Sequence, residues 1–221
     1  DMPLVSVSRW VRPAVPRVAI VAVAAVAAVA GLVVHSGQAD RLLARVRGDD
    51  WSGEADRLVD LLNLEPGMAV ADVGAGRGEL ALEMAKRLGV SGRVYATEID
   101  PVRLDDIRRA VRDAGLGTVT IVTAGDRDSN LPDACCDAIY LREVYHHFSD
   151  PAFTTTTLHR ALKPGGWLAV IDYPQRGTSG GNCHCIDKQE LIRQVTAAGF
   201  DHVSDQDRWS GSRYIVVFRK R

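Results

Sequence analysis

From Trp51 onward the apolar positions alternate between two periods. Ala55, Leu58, Val59 and Leu62 recur at the three- and four-residue spacing of one helix face, and Pro66-Gly67 then breaks the chain. Met68 to Val73 reads as a buried strand and is followed by a glycine-rich turn. Leu80, Ala81, Met84, Ala85 and Leu88 return to helical spacing, with Gly89 as the stop. The pattern continues with a strand from Arg93 to Ile99, a helix from Pro101 to about Ala114 stopped by Gly115, and a β-branched strand from Val119 to Val122. A fourth strand covers Asp137 to Leu141. The helix Pro151 to Leu162 runs into Lys163-Pro164-Gly165-Gly166, a turn that feeds the strand Trp167 to Ile171. After a glycine-rich loop from Arg176 to Gly181, Asp187 can cap a helix whose apolar face is Leu191, Ile192, Val195 and Ala198, and Tyr214 to Phe218 is a closing strand. Helices alternating with strands specify an α/β domain with a mainly parallel sheet.

One segment departs from this pattern. Val18 to Val34 has no polar side chain and follows Arg9, Arg12 and Arg17, the arrangement of a secretory signal or a membrane anchor. As a helix its 17 residues would reach about 25 Å, short of a hydrocarbon core of about 30 Å. That is marginal for a span and long for a signal core. Ala28-Val29-Ala30 would suit a signal peptidase, and Arg41, Arg45 and Arg47 behind the run balance the arginines ahead of it, so both readings stand beside that of a buried helix. The expected division is residues 1–36 as signal peptide or anchor, 37–50 as linker or helix, and 51–221 as the globular domain.

Composition narrows the classes. With 46% hydrophobic and 25% charged residues, the chain is neither a disordered tail, a fibre nor a polytopic membrane protein. Its 27 basic and 28 acidic residues leave a net charge of −1, so no positive field is available to bind nucleic acid. Four cysteines in 221 residues do not make a disulfide framework, and Cys183-His184-Cys185 lacks the second ligand pair of a structural zinc site, so no metal is expected.

The candidate chemistry begins at Val70-Ala71-Asp72-Val73-Gly74-Ala75-Gly76-Arg77-Gly78. Glycines between a strand and a helix let a ligand approach the backbone, and the helix start offers unpaired N–H groups. The spacing is G-x-G-x-G, not the G-x-G-x-x-G of a dinucleotide pyrophosphate site. Glu98 ends the second strand, where a carboxylate can accept both ribose hydroxyls of a nucleoside. Gly125-Asp126 follows the third strand, so acids at the ends of adjacent parallel strands face one crevice.

In order and spacing, ADVGAGRGE, VYATEID, AGD, LPDACCDAIYLREVYHHFSDP and LHRALKPGGWLAVIDY resemble the class I S-adenosylmethionine-dependent methyltransferases over about Trp51 to Phe218. The YHHF-DP stretch and the AAGF…YIVVFRK ending look like a bacterial subgroup of small methyltransferases with signal-like N-termini. The resemblance implies a Rossmann-like seven-stranded sheet of order 3-2-1-4-5-7-6, strand 7 antiparallel, helices on both faces and a hydrophobic helix ahead of it. It implies that Asp72, Gly74, Gly76 and Gly78 shape the pocket for the methionine part of S-adenosylmethionine, that Glu98 holds the ribose hydroxyls, and that Ile99 packs on the adenine. Asp126 would take the adenine amino group, and Arg142 and Glu143 would border the methyl donor.

The sulfonium makes its methyl electrophilic, so the protein has mainly to align a small-molecule acceptor and exclude water, yielding S-adenosylhomocysteine. An acceptor carrying a proton needs a base, for which His146 and His147 are the candidates, only one of the two being expected to face the pocket. Tyr145 would meet the sulfonium by cation–π attraction or serve as pocket wall. The competing classes are a non-catalytic, membrane-tethered nucleoside-binding module with the same fold and a nicotinamide-dependent oxidoreductase. Because the methyl donor is cytosolic, the resemblance favours an anchor at Val18 to Val34 with the catalytic domain on the cytosolic face, over export after signal cleavage.

Overall fold

A computed structural model of the chain describes residues 50–174 and 185–221. The apolar run at residues 18–34, the loop expected at 176–181, Cys183 and His184 lie outside the described residues. No helix among the described residues is long and apolar enough to cross a membrane.

The elements follow one another as α1 (Trp51–Leu61), β1 (Ala69–Val73), α2 (Glu79–Leu88), β2 (Arg93–Glu98), α3 (Pro101–Ala114), β3 (Val119–Thr123), β4 (Cys136–Arg142), a 3-10 turn (Tyr145–His147), α4 (Pro151–Ala161), β5 (Leu162–Asp172), α5 (Lys188–Ala197), β6 (Phe200–Ser210) and β7 (Arg213–Lys220). The strands form one seven-stranded sheet of order β3-β2-β1-β4-β5-β7-β6. Strands β1 to β5 pair in parallel, and β7 runs antiparallel to both β5 and β6. This is the Rossmann-like methyltransferase fold expected from the sequence.

Alternation along the strands sends successive side chains to opposite faces of the sheet. Val70, Val94, Ala138, Ala169 and Ile215 join Leu58 of α1, Met84 of α2 and Ile107 of α3 in one core cluster. Their neighbours Ala71, Ile139, Val170 and Val216 join Leu158 of α4 and Leu191 of α5 in the other. Both faces of the parallel region are therefore covered, as the apolar runs of its strands require.

Helix starts are fixed by local chemistry. Asp50, Asp100, Asp150 and Asp187 each accept a backbone N–H from the first turn of α1, α3, α4 and α5, and Pro101 and Pro151 occupy first-turn positions where no N–H is needed. The exception is α2, which begins at Gly78 with φ of 85° and no side-chain cap.

Two local expectations change. The turn expected at Lys163-Gly166 belongs to the irregular start of β5, where the register against β4 shifts between Cys136 and Ala138 and Gly165 adopts φ of 67°. The strand β6 carries no apolar alternation because it is a sheet edge; Phe200 and Trp209 are buried while most of the residues between them are exposed. Cys136, the first residue of β4, is buried.

Asp137 joins three elements at the amino ends of the strands. Its carboxylate accepts the Ala69 N–H at 2.8 Å, locking the start of β1, and takes Lys163 Nζ at 2.8 Å on both oxygens. Removing it leaves a part-buried N–H and an ammonium without their acceptor. Asp137→Ala is expected to lower stability by about 1–2 kcal/mol, read as a lower urea midpoint at unchanged slope.

Candidate active site

The chain leaves β1 for β2 on one side and later returns to place β4 on the other, so strand order reverses at β1. In an open parallel sheet the crevice beyond the carboxyl ends at such a point is where ligands bind. A cavity of about 500 Å³ opens there.

The turn after β1 forms its floor. Gly74, at φ of 73°, lies so close to Val144 that a Cβ would stand 2.4 Å from a valine methyl. Gly76, at φ of 59°, has no atom within 4 Å of where its Cβ would be and faces the open cavity. Gly78 does not line the cavity; a Cβ there would press on Ile107 and Leu82 at 3.3 Å, so its part is to seat α2 against α3. The uncapped start of α2 adjoins this floor, with Glu79 and Leu80 of its first turn in the lining.

Glu98 binds the floor to the next loop. It is only 4% exposed, and its carboxylate accepts three backbone N–H groups, from Gly76 at 2.9 Å, Ile99 at 2.8 Å and Asp100 at 3.1 Å. Arg103 stands 3.8 Å away across the cavity lining. Ile99 lines the cavity while half exposed, and Asp126, beyond β3, lines it from an exposed position.

Asp72, the last but one residue of β1, is buried at 3% exposure and lines the cavity. Burial pushes its carboxyl up to about 7; the Tyr140 hydroxyl beside it and the Arg142 charge pull the other way without compensating. That hydroxyl lies on the neighbouring strand, where Tyr140 pairs in register with Asp72, and it has no partner in hydrogen-bonding geometry.

The mouth is built from paired charges. Arg142 donates to buried Glu54 at 3.0 Å and to Glu143 at 2.7 Å, and its guanidinium lies 4.3 Å over the Trp51 ring. Glu54 also accepts the Trp209 indole N–H at 2.9 Å, and Glu143 accepts from Arg213. Glu143 adopts φ of 61° and donates its N–H to the Ile171 carbonyl, a strained conformation that turns the chain across the end of β5.

The residues of the following turn separate. His147 is exposed and lines the cavity. His146 does not line it; its Nδ1 lies 2.6 Å from Asp172, a fully buried carboxylate that also accepts the Tyr173 N–H at 2.8 Å. The two imidazole centroids are 4.0 Å apart. Tyr145, expected at the sulfonium or in the wall, is a core residue instead: 1% exposed, against Phe148, with its hydroxyl 3.2 Å from Thr155 and Gln194.

Of the residues expected from sequence, Asp72, Gly74, Gly76, Glu98, Ile99, Asp126, Arg142, Glu143 and His147 meet around this cavity, and Gly78, Tyr145 and His146 stand behind it. Sequence reasoning missed Trp51, Arg103 and Ser129 in the lining, and Glu54 behind it. Glu54 had a signal: a carboxylate on the apolar face that Leu58 continues needs a buried partner.

Residues 71–170 match the family described as "Methyltransferase domain". The ubiquinone/menaquinone biosynthesis C-methyltransferase UbiE of Vibrio vulnificus strain YJ016 is 30% identical over 134 residues, which cover 58% of this chain and 52% of that protein. The chain thus spans about half the length of the curated relatives it matches. Among solved structures, a SAM-dependent methyltransferase from Aquifex aeolicus superposes with a TM-score of 0.69 at 24% identity, over 79% of this chain and 95% of that one. The [4+2]-cyclase SpnF superposes at 0.66 with 20% identity, over 76% and 80%. Residues 71–170 are thus similar to the methyltransferase-domain family, and the described residues share their fold with a solved SAM-dependent methyltransferase.

Proposed function

We propose that the chain transfers a methyl group from S-adenosylmethionine to a small-molecule acceptor and releases S-adenosylhomocysteine. The observation that carries this reading is Glu98, a buried carboxylate clamped by three N–H groups beside the unfilled space at Gly76. Such a carboxylate is set to accept paired hydroxyls, and a glycine without neighbours admits a ligand against the backbone.

The residues fit an adenosyl sulfonium. Glu98 would hold the ribose hydroxyls, Ile99 the face of the base and Asp126 its amino group. Asp72, costly to ionise where it is buried, suits a cationic amino-acid end, and the open N–H groups at the start of α2 suit its carboxylate. When bound, the donor supplies an electrophilic methyl group. The chain then has to align the acceptor and keep water out, for which Trp51, stacked under Arg142, and Glu143 form the wall. For an acceptor that loses a proton, His147 is the base that reaches the cavity, with His146 fixed behind it by Asp172.

The acceptor does not carry over from the relatives. The UbiE segment matched is about half of that protein, and SpnF bears the name of a cyclase on the same fold, so fold does not set the reaction. The methyltransferase match lends no support to a non-catalytic tethered module. The subgroup membership suggested by Tyr145-His146-His147-Phe148 belongs to the same proposal. So does a retained anchor at residues 18–34 with residues 51–221 on the cytosolic side, supported by the arginine-flanked apolar run. Protease added to intact cells should leave the domain whole; digestion there would reverse that sidedness.

Calorimetric titration with S-adenosylhomocysteine tests the donor site. Gly76→Arg puts a long side chain into the cavity from a left-handed backbone position, and binding should fall at least about a hundredfold, a loss of roughly 3 kcal/mol. Affinity at the wild-type level in this variant would remove the turn from the site.

Asp72 makes stability depend on pH. Its folded value of about 7 lies above the ordinary 3.8, so between these values the native state holds a proton that the unfolded chain has released. Its contribution is complete below pH 3.8 and is lost as pH rises through 7. Asp72→Asn should therefore gain stability relative to the wild type as pH rises across that window and level off above it, as followed by urea unfolding at several pH values. A difference independent of pH would show that Asp72 does not titrate in this way.

A further inference from the structure

Two thiols lie at the amino end of β4, the end of the sheet opposite the cavity. Cys135 precedes the strand, Cys136 is its first residue, and both are free. Neighbouring residues of a strand send their side chains to opposite faces, which would hold two adjacent sulfurs apart. Here the turn at Asp133-Ala134 brings them together. Ala134 takes φ of 48° and donates its N–H to the Arg160 carbonyl at 3.0 Å, and the Asp133 carboxylate accepts Arg160 Nε at 2.6 Å. With the chain turned out of the strand and tied to the end of α4, the two Sγ atoms meet at 2.7 Å.

The two thiols differ in access and in charge. Cys136 is fully buried in the core cluster that holds Leu131, Leu158 and Leu162, whereas Cys135 is only partly buried. The Cys136 thiol beside it holds Cys135 below the usual thiol range against the effect of partial burial, and the Lys163 charge acts the same way. Cys136, next to that sulfur and buried, is pushed up. Cys135 is therefore the one that becomes a thiolate, and the thiolate is the nucleophile.

We infer that Cys135 and Cys136 form a reversible thiol–disulfide site for low-molecular-weight disulfides, Cys135 attacking and Cys136 resolving. The Cys135 thiolate attacks one sulfur of the small disulfide, whose S–S bond breaks. A mixed disulfide forms, and the departing thiolate takes up the proton that Cys135 released. Capping removes the charge on Cys135, and with it the repulsion that opposes a thiolate on Cys136. Cys136 Sγ then loses its proton, attacks Cys135 Sγ across the existing contact and expels the second small thiolate, which takes up that proton. The protein pair is oxidised and the small disulfide is reduced to a pair of thiols. Burial does not hinder Cys136, because its target is the adjoining side chain rather than a molecule from solution. Adjacent Cα atoms are about 3.8 Å apart, nearer than the roughly 4.4 Å at which ordinary disulfides begin. The bond closed here is thus strained and readily reduced. It closes where the ladder is already interrupted, the register of β4 against β5 shifting between Cys136 and Ala138.

Exposure of the full folded chain to oxidised glutathione, followed by acid quench, alkylation of free thiols and tryptic mapping, tests this. Residues 128–142 form a peptide that holds both thiols apart from Cys183 and Cys185. That peptide should lose the mass of two hydrogens without taking up alkyl groups, and dithiothreitol should restore it. In Cys136→Ala a glutathionyl group should remain on Cys135. In Cys135→Ala the loss of free thiol at Cys136 should slow at least about tenfold. A wild-type peptide that stays alkylated on both thiols would overturn the inference, as would glutathione retained on wild-type Cys135. Equal rates in the wild type and Cys135→Ala would do the same, since Cys136 would then be reacting through opening of the core. The wild-type mapping is decisive even where a variant does not fold.

Discussion

The carboxylate of Glu98 is the constraint around which the cavity is arranged. A parallel sheet leaves its carboxyl-end loops free to diverge, and nothing in the ladder of β1 and β2 dictates how the turns above them sit. By accepting N–H groups from Gly76 in one loop and from Ile99 and Asp100 in the next, Glu98 ties the two together across the sheet edge. The third of those bonds also steadies Asp100, the cap of α3. A group that organises two loops before any ligand arrives spares the ligand the cost of ordering them. Its carboxylate is surrounded chiefly by backbone N–H dipoles, with the half-exposed Arg103 pairing with it at 3.8 Å.

At the opposite wall the stabilisation is ionic and involves more residues. Arg142 is 10% exposed and Glu54 1%, so each charge has lost most of its hydration and must be compensated by the other. The pairing continues through Glu143 to Arg213, which lies 5.1 Å over the Tyr173 ring. This chain of alternating charges links α1, the end of β4 and the start of β7, elements distant in sequence that together make one rim. A buried ionic network of this kind contributes more to holding one geometry than to net stability, and a rim that must line up an acceptor needs that geometry.

Much of this was legible in the sequence because the signals were local. Strand and helix periods, the capping aspartates and the glycines at Gly89 and Gly115 all act within a few residues, and each element they mark is present. The acids at strand ends were legible too, since the order of a parallel sheet sends the ends of neighbouring strands to one edge. What stayed hidden depends on contacts across the sequence. His146 and His147 look equivalent as text, but Asp172, 26 positions further on, draws one of them behind the cavity. Tyr145 reads as an aromatic beside the site until Thr155 and Gln194 take its hydroxyl inward. Ser129 is an ordinary loop serine until the loop folds over it, and β6 has no apolar alternation to announce it because it is the edge strand of the sheet among the described residues.

The position of β7 has a consequence for how the chain is made. Among the described strands it comes last in the chain, yet it lies inside the sheet between β5 and β6, carrying the buried run from Tyr214 to Phe218. Until it is synthesised, the row from Trp167 to Asp172 on β5 has no partner along its free side. A growing chain therefore presents an unpaired apolar strand for the whole interval in which α5 and β6 are being made. An edge of that kind is a template for pairing with another nascent chain until β7 fills it.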